Sequence, residues 1–435
     1  DWSIAKAAEA TQVNVAPDGT ATFTYTVTAT QGTTTDSDWA MAGTVTVTNP
    51  NAFPVSATVT DLPYGAAASC TYPDGATVSV PANGSVGVAY SCTGLGAPPA
   101  VASNTATVAW TAEPVSGQPV SGTASASVSP VTFTETSSVD KSIAVWDNKT
   151  GTTPVQIGTA VWGDPSTQTI TYSVTKPASD TTPGGCRSYD NTASFATAAN
   201  ADAASATVTM CVGADLTVTK TATGSYDTTY AWTVDKAVGD FPASVAGGTD
   251  VTIPYTVIAT KTGQTDSGWT VTGTITVTNP NSWQSVSLTG VTDALSMDGG
   301  TCTVTGDTTA TLAKSGGSVR LNYTCTYAAQ PASYSGTNTA TATWAQAAAH
   351  TAHGSASGTA AYTLDLANET NASVTVTDTV GGVTTTLGTV AIGESPKDFT
   401  YGRTVTAPMG SCLTIDNTAT VSETGATDTA SATVC

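Results

Sequence analysis

In the stretch ATFTYTVTAT, Ala21 to Thr30, threonine alternates with Ala21, Phe23, Tyr25, Val27 and Ala29. A period of two puts alternate side chains on opposite faces of an extended strand, so one face here is apolar and the other hydroxylated. Threonine suits the wet face because its branched Cβ fits a pleated backbone. The alternation returns in GTVTVTNPN, Gly43 to Asn51, where Asn-Pro-Asn stops the strand by turn chemistry. No stretch sustains a helical period, and Gly, Pro, Asn and Asp separate the alternating runs. The chain is therefore expected to be all-β and built from antiparallel β-sandwiches of immunoglobulin-like type.

Laying the chain over itself shows how many such units to expect. Asp38 to Pro63 matches Gly268 to Leu295, DWSIAKA at Asp1 matches AWTVDKA at Ala231, and SNTATVAW at Ser103 matches TNTATATW at Thr337. A shorter unit also occurs twice: Ile157 to Pro177 matches Leu387 to Pro408, and YDNTASF at Tyr189 matches IDNTATV at Ile415. The order is long, short, long, short. The expected tandem domains are 1–129 and 212–360 for the long sandwich and 130–211 and 361–435 for the short one. The first long copy lacks the counterpart of Val212 to Tyr230, the segment holding DLTVTKT. A sandwich without that strand exposes an edge and part of its core. Because the sequence stops after SATVC, before another such strand, the expected remedy is a longer tandem array or a strand supplied by another subunit.

The eight cysteines fall at matched places: Cys70 and Cys92 correspond to Cys302 and Cys325, and Cys186 and Cys211 to Cys412 and Cys435. A bridge within each unit is the economical pairing, and an even, fully matched set points to an oxidising, secreted setting. No CxxC spacing favours a metal instead. A length of 435 residues calls for several cores, and 40% hydrophobic with only 10% charged residues is not the composition of a disordered chain. The net charge of -20 argues against nucleic acid or an anionic membrane as partner. Threonine or serine interrupts the hydrophobic stretches, so no direct membrane insertion is expected.

ADLTVTKTA (Ala214 to Ala222), the VTVTNPN strand, strand-ending VTD (Asp61, Asp293 and Asp378) and NTATV-like late strands together resemble the conserved-repeat immunoglobulin-like family of bacterial surface and fimbrial proteins. That resemblance spans all the units and implies a secreted, modular protein with a structural or adhesive role. It also brings in the Lys to Asn isopeptide bonds formed in some surface proteins of this type with the help of a buried carboxyl group. Lys6, Asp61 and Asn104 recur as Lys236, Asp293 and Asn338 and are the candidate sets. Burial would supply the neutral amine and proton-sharing acid that the bond requires. The short units repeat Asn191 and Asn417, but Lys141 has no counterpart near Asn371.

Other candidates carry less. His350 and His353 in HTAH lack the glutamate of a metalloprotease helix, and neither recurs in the other copy. TTTDSDW and GQTDSGW lack the carboxylate ladder of a calcium loop. No catalytic residue, cofactor site or metal site is expected, and the chain is not read as an enzyme. Trp2, Trp39 and Trp110 recur as Trp232, Trp269 and Trp344, either to stack on glycan or, more in keeping with strand ends, to pack. Asn83, Asn148, Asn322, Asn368 and Asn371 are N-glycosylation candidates by sequon. The expected function is a structural subunit of an extracellular filament, fibre or surface stalk, assembled head to tail from copies of itself. The alternative is a cell-surface adhesin that takes a glycan or host surface ligand.

Overall fold

The structure, a computed structural model, describes residues 1–64, 68–94, 96–98, 103–113, 116–133 and 135–435. In its first half, β1 (Trp2–Ala8), β2 (Gln12–Val15) and β3 (Thr20–Gln31) are followed by β4 (Trp39–Asn49), β5 (Val55–Tyr64), β6 (Ala68–Thr71) and β7 (Thr77–Val80). Next come β8 (Gly84–Gly94), β9 (Ser103–Ala112), β10 (Val120–Val128), β11 (Ser142–Asp147), β12 (Val155–Val161), β13 (Thr167–Pro177), β14 (Cys186–Ala196) and β15 (Ala201–Val212). The second half holds β16 (Thr217–Lys220), β17 (Thr223–Val238), β18 (Asp250–Thr278), β19 (Val286–Leu295), β20 (Gly300–Thr305), β21 (Thr311–Leu312), β22 (Ser318–Tyr327) and β23 (Ser335–Trp344). A single helical turn, α1 (Gln346–Ala349), precedes β24 (Ser355–Thr370), β25 (Ser373–Val380), β26 (Val383–Ala391), β27 (Lys397–Thr406), β28 (Leu413–Val421) and β29 (Ala426–Val434).

The period-two pattern is realised residue by residue. Along β3, Ala21, Phe23, Tyr25, Val27 and Ala29 are all at most 1% exposed, while the threonines between them face outward or lie half-buried. Phe23, Tyr25 and Val27, once buried, each contribute about 1.5–3 kcal/mol. The Asn-Pro-Asn stops also have a mechanism. Asn49 and Asn279 are buried; each donates from Nδ2 to nearby carbonyls, Phe53 O at 2.8 Å and Gln284 O at 2.9 Å. Their Oδ1 atoms accept the backbone N–H of Asn51 and Asn281 at 3.0 Å, which closes the turn.

The chain divides into two compact units, one of residues 1–11, 22–175 and 188–208, the other of residues 12–21, 176–187 and 209–435. In the first unit, sheet β1-β3-β13 faces β11, β12, β14 and β15 over a core of Trp2, Ile4, Val27, Ala29, Ile143, Val145, Ala193 and Phe195. Sheet β4-β8-β6 faces β10-β9-β5-β7 around Val47, Val55, Ala57, Val59, Val80 and Val88. The expected boundary at residue 129 is therefore corrected. Strands β1 and β3 belong with strands that begin at Ser142, and β4 to β10 form a sandwich inserted between them. Alternation reveals a strand but not its partner, so a linear repeat could not show this nesting.

The second unit has the same arrangement without the break between β3 and β4. Strand β18 pairs through Asp250–Ala259 with β27 and through Thr270–Thr278 with β22, so one long strand runs through both sandwiches of this unit. Strand β17 does likewise: Lys236 and its neighbours pair with the first part of β18, while Thr223–Ser225 pair with its last part. The boundary expected at residue 360 is corrected for the same reason, since Tyr230, Trp232, Val257 and Ala259 share a core with Val374, Val376, Ala419 and Val421. Also in this unit, β2 pairs in parallel with the end of β15, Gln12 opposite Thr209. No helix among the described residues is long and apolar enough to cross a membrane.

Candidate functional site

Bridges join Cys70 to Cys92, Cys186 to Cys211, Cys302 to Cys325 and Cys412 to Cys435, leaving no free cysteine. Two of them border the most unusual chemistry in the molecule: the Cys325 sulfur lies 3.3 Å from Asp293 Oδ2, and the Cys92 sulfur lies 3.5 Å from Asp61 Oδ2. With their thiols paired, these sulfurs are poor metal ligands, and neither cluster reads as a metal site.

Among the described residues, lysine meets aspartate in buried surroundings three times. Lys6 is ion-paired to Asp147, Lys220 to Asp293 at 2.6 Å, and Lys236 to Asp378, and each lysine side chain is 0% exposed. An asparagine accompanies each pair: Asn191, Asn338 and Asn417, all 0% exposed. In the first and third clusters a tyrosine hydroxyl joins amine to amide. Tyr172 OH accepts from Lys6 Nζ at 2.6 Å and from Asn191 Nδ2 at 2.9 Å; Tyr401 OH accepts from Lys236 Nζ at 2.7 Å and from Asn417 Nδ2 at 2.9 Å. A second tyrosine stacks behind each, Tyr25 on Tyr172 and Tyr255 on Tyr401, both with ring centroids 5.6 Å apart. In the middle cluster Lys220 lies over the ring of Tyr323.

The local sequence explains the placement. Each lysine sits on the inward register of a strand of alternating residues, so a chain that would otherwise keep its ammonium in water must carry it into the core. Desolvation lowers the pKa of Lys6, Lys220 and Lys236, and the paired aspartate opposes that shift only in part. Burial likewise raises the tyrosines, Tyr323 to about 12. The Oδ1 atoms of Asn191, Asn338 and Asn417 are buried without a hydrogen-bond partner. Each cluster thus gathers an amine whose pKa burial lowers, a carboxylate paired to it and an asparagine amide with an unengaged oxygen. In an amide exchange the amine would add to the asparagine carbonyl, an acid would relay the proton, and ammonia would leave.

The sets expected from sequence are regrouped. Lys6 lies with Asp147 and Asn191, not with Asp61 and Asn104; Lys236 lies with Asp378 and Asn417, not with Asp293 and Asn338. Asp293 and Asn338 instead neighbour Lys220, the lysine of the DLTVTK strand. Sequence comparison found the right residue types and missed Lys220, Asp147 and the companionship of Asn191 and Asn417. It sought each lysine inside its own linear repeat, whereas the nesting takes Lys6 and Lys236 into the other sandwich. Asp61 and Asn104 remain together, Asn104 Nδ2 donating to Asp61 Oδ2 at 2.9 Å and to Tyr90 OH at 2.9 Å.

Of the tryptophans, Trp2, Trp39, Trp232, Trp269 and Trp344 are 3–8% exposed and Trp110 is half-buried, so they pack rather than present a stacking platform. Asn83, Asn322 and Asn368 are exposed, whereas Asn148 and Asn371 are half-buried, with side chains bound to Thr192 N and Tyr230 O. His353 Nδ1 is 2.7 Å from Asp215 on the surface, and His350 caps α1.

No family model matches the chain, and no curated protein does. Among solved structures, it resembles zebrafish RET cadherin-like domains 1 to 4 at a TM-score of 0.17 and 9% identity, covering 57% of this chain and 58% of that one. It resembles BspA_C_mut at 0.21 and 9%, covering 83% and 98%, and BcpA, the major pilin subunit of Bacillus cereus, at 0.15 and 9%, covering 67% and 90%. Likeness this low carries no weight for function.

Proposed function

We propose that the chain is a structural subunit of an extracellular filament, fibre or surface stalk, in which disulfide-bridged sandwiches follow one another and copies join head to tail. What supports this is the threefold occurrence of the buried Lys, Asp and Asn cluster. Each cluster ties an early strand to strands far along the sequence: Lys6 to Asp147, Lys220 to Asp293, Lys236 to Asp378. Closed as amides, these ties would resist pulling in a way that non-covalent packing does not. The bridge within each repeat suits the same oxidising, extracellular setting. No catalytic role is assigned to the clusters, since each would react once and release only ammonia.

Negative-stain electron microscopy of native material, together with its mass under denaturing and reducing conditions, tests the reading. Filaments are the expected result. Isolated monodisperse particles would refute it and favour a ligand-binding surface protein.

A further inference from the structure

Strands β11 and β25 are repeats of one another, SIAVWD (Ser142 to Asp147) against SVTVTD (Ser373 to Asp378), each closing on the aspartate of a lysine cluster. Their pairing is the same. Trp146 stands opposite Gln156 of β12 and Ser194 of β14, and Thr377 stands opposite Thr386 of β26 and Thr420 of β28. Both strands carry a register shift at this place, between Val145 and Trp146 and between Val376 and Thr377. With the backbone repeated, only the side chains differ. In the second unit the row across the sheet is Thr386, Thr377, Thr420 and Thr427, the branched hydroxylated residue that suits an outward strand position. In the first unit a tryptophan replaces Thr377, and the smaller serine replaces Thr420 beside it.

Of the nine tryptophans, Trp146 alone is exposed, at 42%; the others are buried or half-buried. Trp2 meets Trp162, Trp39 meets Phe133 and Trp283 meets His350, and Trp2, Trp232 and Trp344 donate from Nε1 to oxygens nearby. Among the described residues, the Trp146 ring meets no other ring and its Nε1–H has no acceptor. A single exposed apolar side chain is ordinary on any surface, but this one walls a groove whose other lining includes Ser194, Ala196, Ala201, Asp202 and Ala203. Small side chains beside a large flat one keep the groove open. Its polar groups retain hydrogen-bonding capacity. The Ser194 hydroxyl has no partner among the described residues. Asp202 accepts one backbone N–H on each oxygen, Ile4 N at 2.9 Å and Ala203 N at 2.8 Å, which leaves each oxygen able to accept again. No lysine or arginine lines the groove.

We infer that this groove binds a neutral pyranose of a glycan, with an apolar C–H face of the sugar against the Trp146 indole and its hydroxyls hydrogen-bonded to Ser194 and Asp202. A pyranose is flat, with apolar faces and a rim of hydroxyls, and it matches a wall that is aromatic beside groups that accept and donate. The charge selects among sugars. A carboxylate in the groove, no cation beside it and a net charge of -20 favour a neutral ring over an acidic one. A protein partner fits less well, because a stable interface buries about 800 Å² on each side around an apolar centre. Around Trp146 the outward side chains are Ser142, Thr159, Thr192 and Ser205, and the last two bond to one another at 2.8 Å. The site goes beyond the filament reading and does not depend on it, since a free chain and an assembled one would present the same groove.

The test follows the indole N–H resonances of the 435-residue chain carrying isotope-labelled tryptophan, one for each of the nine. Trp146→Thr, which writes the second unit's residue into the first, removes one resonance and so assigns it; hydrogen exchange of β11 and β14 checks that the variant stays folded. Titration with lactose or methyl β-glucoside should move the Trp146 resonance and leave the others in place. Saturation transfer from protein to sugar should fall with Trp146→Thr, as binding weakens by about thirtyfold or more. Ser194→Thr, which narrows the groove, should weaken binding while the Trp146 resonance remains. In the second unit, Thr377→Trp with Thr420→Ser should add a resonance that also moves with sugar. A Trp146 resonance that no sugar moves overturns the site, and transfer that survives Trp146→Thr overturns its placement. Glucuronate bound as tightly as lactose overturns the neutral preference. A resonance that shifts with protein concentration, or as far with cyclohexanol as with sugar, overturns the glycan in favour of an apolar contact. None of these outcomes depends on filaments.

Discussion

Removing Asp378 asks whether a buried charge pair, rather than the packing around it, is what the Lys236 strand depends on. The Lys236 and Asp378 side chains are 0% and 8% exposed, so water does little to screen a charge left alone there. In an Asn417→Ala background, which cannot form the amide, Asp378→Ala leaves the Lys236 ammonium beside Tyr255 and Tyr401 without its ion-pair partner, with only Asp428, which accepts from the Lys236 backbone N–H, still exerting a charge on it. Breaking a buried pair from one side costs about 3–5 kcal/mol. Removing both partners, with Lys236→Met added, should recover most of this and leave about 1–2 kcal/mol for the cavity. At about 2–4 °C per kcal/mol, the single change lowers the melting temperature by roughly 10 °C and the double by less than half of that. Calorimetry closes the double-mutant cycle, and hydrogen exchange along β27 locates the loss. The penalty also has a pH signature. A lysine whose folded pKa lies below 10.5 leaves the unfolded chain holding more protons, so the destabilisation is full at neutral pH and fades as pH rises toward 10.5. Equal instability of the single and double variants would refute the reasoning.

Closure of the three clusters would lower the intact mass by one ammonia each, with Lys220→Arg restoring one; an unmodified mass would dismiss the bonds. Closing the long span from Lys236 to Asn417 adds about 5 kcal/mol by the chain-entropy treatment, seen as a melting difference between the parent and Asn417→Ala. Asp61, whose folded pKa is raised above 3.8, contributes stability that is complete below that pH and lost as pH rises through the folded value. The sandwich that holds Asp61 should therefore be more protected from hydrogen exchange at mildly acidic than at neutral pH. Replacing both Cys302 and Cys325 by serine opens a bridge of sequence separation 23 and should cost about 3 kcal/mol in urea unfolding. Gly273→Ala places a methyl group 2.1 Å from Thr221 O and should displace β16, read as faster exchange at Thr217–Lys220 and a loss of about 1–3 kcal/mol.

Much of this was legible in the sequence because it is local. Alternation in ATFTYTVTAT places Phe23, Tyr25 and Val27 on one face whatever sheet they join, and the structure buries them all. The matched cysteines pair inside their own repeats because the partners lie on adjacent strands, Cys70 opposite Cys92 and Cys302 opposite Cys325. The Asn-Pro-Asn turns close on themselves within a few residues.

What only the tertiary structure decided is companionship across the nesting. Lys6 and Lys236 were visible as a recurring pair, but a strand's alternation does not say which sheet it enters, and both lysines enter the sandwich completed much later in the chain. Lys220 was visible inside DLTVTK without a role until β16 was seen lying on β18 above Asp293. The same contact exposes the contrast at Asp61, where aspartate, asparagine and tyrosine are in place and no lysine is at hand among the described residues. The residues that a strand buries follow from its own period of two, whereas the charge that a buried carboxylate meets depends on which distant strand lies against it.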